Sequence, residues 1–216
     1  MKSLVLKDLY NIAHNAKSML FMLVVFAFIL IPQSGPEGYI ICSGILCSMM
    51  TITTFSFDDH AKWVRYALIM PVTKRELVFS KFIVLFIFTG IGVVFGMVCG
   101  AAGGILLHKL NTADITAWLT LLGIALAGFF ISVFMGGTVI PLLFRFGAEK
   151  ARILSVSVAV IPFGIWYIIY NVLKSLDLVI SDKIILILLC ASPIFVVAWI
   201  FIMYKVACRI FRKQDV

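Results

Sequence analysis

The sequence predicts an all-α polytopic membrane protein of six transmembrane helices with both termini in the cytoplasm, and three observations carry that prediction. Hydrophobic residues make up 63% of the chain and charged residues 13%, with a mean hydropathy of +1.15, a balance that belongs to integral membrane proteins. Six apolar stretches approach or exceed the roughly 20 residues that an α-helix needs to cross a bilayer. The basic residues gather on alternate sides of those stretches.

In chain order, residues 1–17 read as an amphipathic interfacial helix. Val5, Leu6, Leu9 and Ile12 share one face and Lys7, Asp8, Asn11 and His14 the other, so the segment is expected to lie along the membrane surface. The spans follow at about 18–31, 39–57, 82–107, 116–144, 153–173 and 184–204, within a single transmembrane domain covering 1–216. The first is short, and the third and fourth are long enough to tilt, bend or project. Pro141 with Gly136 and Gly137 supplies a bend in the fourth, and Pro162 and Pro193 do so in the fifth and sixth.

With an even number of spans, all of the 18 basic residues except Lys109, Lys174 and Lys183 fall on the side of the two termini, which the positive-inside rule makes the cytoplasm. The net charge of +8 is thereby accounted for by topology and anionic lipid, and no nucleic-acid partner is expected. No ionisable residue sits in the middle of any span, which argues against a proton-driven carrier or a charged selectivity ring. His14, His60 and His108 lie far apart without an acidic partner inside the bilayer, so no catalytic or metal constellation is formed, and the chain reads as a non-enzyme. The cysteines Cys42, Cys47, Cys99, Cys190 and Cys208 fall in apolar stretches or at the basic C-terminus and suggest no disulfide framework. The first apolar stretch lacks a small-residue cleavage site and is read as retained.

The long polar interruption is Phe55 to Lys81. A helix from Asp58 to Met70 would separate Asp58, Lys62 and Arg65 from Trp63, Val64, Ala67 and Met70. Pro71 would end it. Thr73 and Glu76 form a capping box that opens the next helix, with Lys81 at the membrane edge. Composition allows two readings of this segment, a float in the headgroups anchored by Trp63 and Tyr66, or a docking surface for a soluble partner.

The run Phe55, Asp58, Trp63, then LIMPVTKREL and Ser80-Lys81, resembles the segment between the second and third spans of ABC type 2 permeases; the KDLYNI run near the N-terminus is similar to the elbow helix of the same family. The resemblance implies a permease whose coupling segment, residues 58–76, sits in a groove of a separate ATPase. Asp58, Asp59, Lys62, Trp63, Arg65, Tyr66, Pro71, Thr73 and Glu76 are then its ATPase-coupling residues. It also implies a second permease copy, as homodimer or heterodimer, two ATPase subunits that hold ATP and Mg, and no cofactor on this chain. The chain contains no Gly-Lys pair and hence no Walker-type phosphate loop, which agrees with hydrolysis by a partner.

Gly92, Gly96, Gly100 and Gly104 form a smooth ridge on the third span, echoed by Gly128, Ser132 and Gly136 on the fourth. Packing of the third span on the fourth is the expected use, with a dimer interface as the alternative. The segments outside the cell are short, and the spans suit an apolar or amphipathic cargo. In this the chain looks like the compact permeases of Gram-positive bacteria, similar to those of the phenol-soluble modulin exporter, in the cell membrane. A non-transporting immunity or sensor protein is the rival reading.

Overall fold

Apolar runs of this length leave the backbone to satisfy its own hydrogen bonds, and every element described is an α-helix. The computed structural model describes residues 2–69, 73–109, 114–175 and 182–213. Side-chain positions are described for all of these but residues 2, 13–15, 64, 65, 68, 152, 159, 161–163, 165–175 and 182–191. The helices are α1 (Lys2–His60), α2 (Trp63–Ile69), α3 (Lys74–Leu106), α4 (Ile115–Ser175) and α5 (Asp182–Arg212).

Two of these helices double back on themselves. Gly35 (φ 75°, ψ −179°) divides α1 into two limbs, and Gly147 (φ 76°, ψ 170°) divides α4. This corner of conformational space is closed to residues with a Cβ, so glycine is required at both reversals. Pro36 then opens the second limb of α1 with its φ already helical. Among the described residues, four helical stretches are long and apolar enough to cross a membrane: Ala16–His60, which contains the Gly35 reversal, Lys74–Leu106, Ile115–Ala151 and Ser192–Arg212. The chain is thus an all-helical multi-pass membrane protein. The chain reverses within α4 at Gly147, beyond Pro141, and the loop expected at 145–152 shrinks to that one residue.

The N-terminal segment departs from expectation. It continues into the first span with no non-helical residue between them. Leu4, Asp8 and Ile12, spaced by four, are buried, and Ile12 packs with Val84 and Phe88 of α3. The expected interfacial face is therefore rotated: Leu6 is exposed and Asp8 turns inward.

The second limb of α1 is the centre of the bundle, with α3 on one flank and α4 on the other. Its inward residues are small: Ser43, Gly44, Cys47, Ser48 and Thr51 are all buried. The hydroxyls of Ser43 and Ser48 donate to carbonyls of their own helix, Ile40 O and Ile45 O, each at 2.8 Å, so they sit in the packed face without unmet polarity. The glycine ridge of α3 meets this limb. A Cβ at Gly92 would lie 2.9 Å from Ser43 O, one at Gly96 would run into Ser43 Oγ, and one at Gly100 would lie 3.3 Å from Pro36 O. Gly104 is buried on the same ridge. Internal packing is the outcome, but its partner is the second span and not the fourth. Gly128 of α4 comes against Ile41 and Gly136 against Leu85 and Ser48, so the small residues of α4 serve the same close approach. Cys42, Cys47, Cys99 and Cys208 are free thiols, and the side chain of Cys190 lies outside those described.

Candidate functional site

The sequence-predicted lever lies at the end of the bundle opposite Gly35, and it is built differently from a continuous helix. α1 runs on to His60, Ala61 and Lys62 form a turn, and α2 starts afresh at Trp63. Lys62 takes a left-handed φ of 48°, which breaks the expected Asp58 to Met70 helix between its two charged ends. The capping box is formed as expected. The Thr73 N–H donates to Glu76 Oε2 at 2.9 Å and the Glu76 N–H to Thr73 Oγ1 at 3.3 Å, which fixes the first turn of α3. Pro71 lies outside the described residues, as does the side chain of Arg65.

The turn at Ala61–Lys62 leaves Asp58 on the last turn of α1, facing into the bundle. There it enters a cluster of four charges drawn from three separate segments. Lys81 of α3 sits 2.9 Å from Asp8 Oδ2 and 2.6 Å from Asp58 Oδ2. Lys7 pairs with Asp58 Oδ1 and lies 3.3 Å from Asp8 Oδ1. The side chains of Asp8, Asp58 and Lys81 are between 2% and 5% exposed, whereas Lys7 is 23% exposed. Two acids and two bases cancel, which is the condition for keeping charge in such a place, since an unmatched buried ion costs several kcal/mol. Lys81 also lies 4.9 Å from the centre of the Phe55 ring and 3.4 Å from Thr54 Oγ1.

Trp63 links α2 to this cluster. The Lys7 ammonium stands 4.4 Å over its indole, and the ring packs against the large core that contains Ala67, Leu77, Phe144 and Phe211. Trp63 therefore points inward and is not an outward anchor. Ala67 is fully buried below it, while Tyr66 is 59% and Ile69 84% exposed on the opposite side. Lys62 is exposed beside them. Asp59 turns the other way and accepts a hydrogen bond from the Ala148 N–H at 2.9 Å, capping the second limb of α4 just after Gly147. Between these elements lies a cavity of about 270 Å³ lined by Asp58, Asp59, Lys81, Arg145, Phe55 and Phe211 among others.

Of the predicted site residues, the fold brings Asp58 and Trp63 together through Lys7 and sends Asp59 to α4. Thr73 and Glu76 stay at the start of α3, and Tyr66 and Lys62 are left on the surface. Sequence reasoning missed Lys7, Asp8 and Ile69, and placed Lys81 at the membrane edge without a partner. The available signal was Asp8 in register with Leu4 and Ile12, a carboxylate on a buried stripe that demands a cation. Among the described residues no group of three or more His, Cys, Asp or Glu is placed to hold a metal.

Residues 3–212 of the chain are matched by the family model of the ABC-2 family transporter proteins. The chain belongs to the ABC-2 transporter family. It is thus a permease component of an ABC transporter, a multi-pass membrane subunit of a kind that is generally non-catalytic and works with an ABC ATPase subunit. No curated protein and no solved structure matches this ABC-2 permease.

Proposed function

We propose that this ABC-2 permease is the membrane subunit of an ATP-driven exporter, with six spans, cytoplasmic termini and α2 as the element on which the ATPase acts. The observation that carries the reading is the two-sidedness of α2: Trp63 and Ala67 are packed into the core, while Tyr66 and Ile69 stand out from it. Two exposed apolar side chains beside the exposed Lys62 suit a shallow groove of a soluble partner, because buried aromatic anchors dominate small interfaces. Force on that face would pass through Trp63 to Lys7 and the four-charge cluster, and through Thr73 and Glu76 into α3. Asp58 and Trp63 then act behind the docking face as coupling residues, and Asp59 carries the motion to α4.

The working unit in this proposal is two permease copies, identical or related, with two ATPases that supply ATP and Mg. It sits in the cell membrane of a Gram-positive bacterium and moves amphipathic or hydrophobic peptides, as the resemblance to the phenol-soluble modulin exporters suggests. Short segments at the Gly35 end leave little room for an external receptor domain, which favours cargo taken from the membrane or cytoplasm. Co-purification with the ATPase tests the core of the proposal. Tyr66→Ala with Ile69→Ser should abolish co-purification while the purified permease keeps its helix content, and the permease alone should hydrolyse no ATP. Undiminished ATPase binding by that double variant would overturn the docking assignment.

A further inference from the structure

A groove of about 510 Å³ runs between α4 and α5, with Phe134, Pro141, Leu142, Arg145, Trp199 and Met203 among its walls. Besides Arg145, its hydrogen-bonding side chains are Thr138, whose hydroxyl donates back to Met135 O at 2.7 Å, and Trp199, whose buried indole N–H has no partner among the described residues. Two features define what would fit. The first is length. Phe134 to Arg145 on α4, and Trp199 to Ile210 on α5, each rise about 16 Å at 1.5 Å per residue, which matches the roughly 15 Å hydrocarbon depth of one leaflet. The deep end is closed by rings, Phe134 against Trp199 at 5.1 Å and Phe195 against Trp199 at 6.2 Å.

The second feature is charge. Arg145 is exposed at the shallow end, and among the described residues no carboxylate pairs with it; its guanidinium lies over the Phe146 ring at 5.1 Å. Lys7 and Lys81, by contrast, are both consumed by carboxylates. Lys205, Arg209 and Arg212 stand exposed on the last turns of α5, at the same end. A cation at the mouth and hydrocarbon walls below it, one leaflet deep, describe a phospholipid. A peptide in the same place would find on these walls one side-chain oxygen, Thr138 Oγ1, to accept from its several amides.

We propose that this groove holds an anionic phospholipid of the cytoplasmic leaflet, its phosphate on Arg145 and one acyl chain ending against Phe134 and Trp199. The inference rests on the proposed orientation, with Arg145 on the cytoplasmic side, and does not depend on transport. Its test is retention of lipid by the purified permease in detergent, counted by native mass spectrometry after incubation with equal amounts of phosphatidylglycerol and phosphatidylcholine. The parent should keep one phosphatidylglycerol per chain with roughly fivefold preference, the effect of one cation near the phosphate. Arg145→Gln should lose the preference. Val206→Trp, or Met203→Trp if that variant does not fold, should lose both lipids while helix content is unchanged. Equal retention by parent and variants would reduce the lipid to ordinary annular contact and overturn the proposal. Loss of permease dimers in Val206→Trp with bound lipid unaltered would assign the groove to a second copy and overturn it too. Labelling of Lys150→Cys from outside the cell would overturn the orientation and with it the choice of leaflet, a failure separable from the retention result.

Discussion

Replacing Lys81 with Met removes one charge from the four-membered cluster and keeps the length of the side chain. Its ammonium makes two contacts, at 2.9 Å to Asp8 and 2.6 Å to Asp58, each worth about 6 kcal/mol at an effective dielectric of about 20. Desolvation of the ions offsets most of that attraction in the parent. It is not returned in the variant, because Lys7 is left facing two carboxylates whose side chains are 2% and 5% exposed. Lys81→Met should therefore cost about 3–5 kcal/mol of stability, the usual consequence of leaving a buried charge unmatched. Adding Asp8→Asn restores neutrality around the surviving Lys7–Asp58 pair and should recover at least about 2 kcal/mol. Lys150→Met, on an exposed residue, should change stability by less than about 0.5 kcal/mol. Equilibrium unfolding in mixed micelles, followed by tryptophan fluorescence, measures all three. A loss below about 1 kcal/mol for Lys81→Met, or a double variant no more stable than the single one, would refute the account of the cluster as a balanced buried joint.

The remaining predictions concern single contacts and topology. Asp59→Ala removes the cap on Ala148 and should cost about 1 kcal/mol in the same unfolding measurement, whereas Asp59→Asn should cost less than half of that. Gly92→Val should destabilise by about 1–3 kcal/mol through overpacking, because Ser43 O leaves its Cβ no room; Gly90→Val, where no atom lies within 4 Å, should be milder in the same assay. With the native cysteines removed, Asp114→Cys should react with an impermeant thiol reagent from outside and Lys150→Cys should not, both positions being exposed. Equal labelling of the two would overturn cytoplasmic termini. Ala148, otherwise a natural probe of the same turn, is 4% exposed and would stay unlabelled on either side.

What the sequence disclosed depended on how far apart the interacting residues lie. The Thr73–Glu76 box is a contact between residues three apart, governed by local geometry, and it forms as read. The glycine spacing on α3 fixed a smooth face, since helical period needs no knowledge of the partner, but which helix that face meets depends on how the chain folds back. Asp58 illustrates the limit best. Its side-chain partners lie 51 and 23 residues away, and amphipathic periodicity placed it on a solvent face because the break at Lys62, a left-handed residue that is not glycine, leaves no mark in the pattern. Trp63 shares a face with Ala67 as the period of the helix requires, but that the face meets the core is set by residues far off in the chain, Phe144 and Phe211 among them.

The two glycine reversals set the mechanics of any movement. Residues 34 and 36, or 146 and 148, are separated by two peptide steps, so the limb ends they join cannot part by more than about 7 Å. Each pair of limbs is therefore a pair of scissors with its pivot fixed. The α1 pair pivots at Gly35 and can spread only at the end where Lys7, Asp8 and Asp58 meet Lys81, while the α4 pair pivots at Gly147, beside Asp59, and can spread only at the far end. The blades open toward opposite ends of the bundle, so one pair can widen at one end while the other stays shut there.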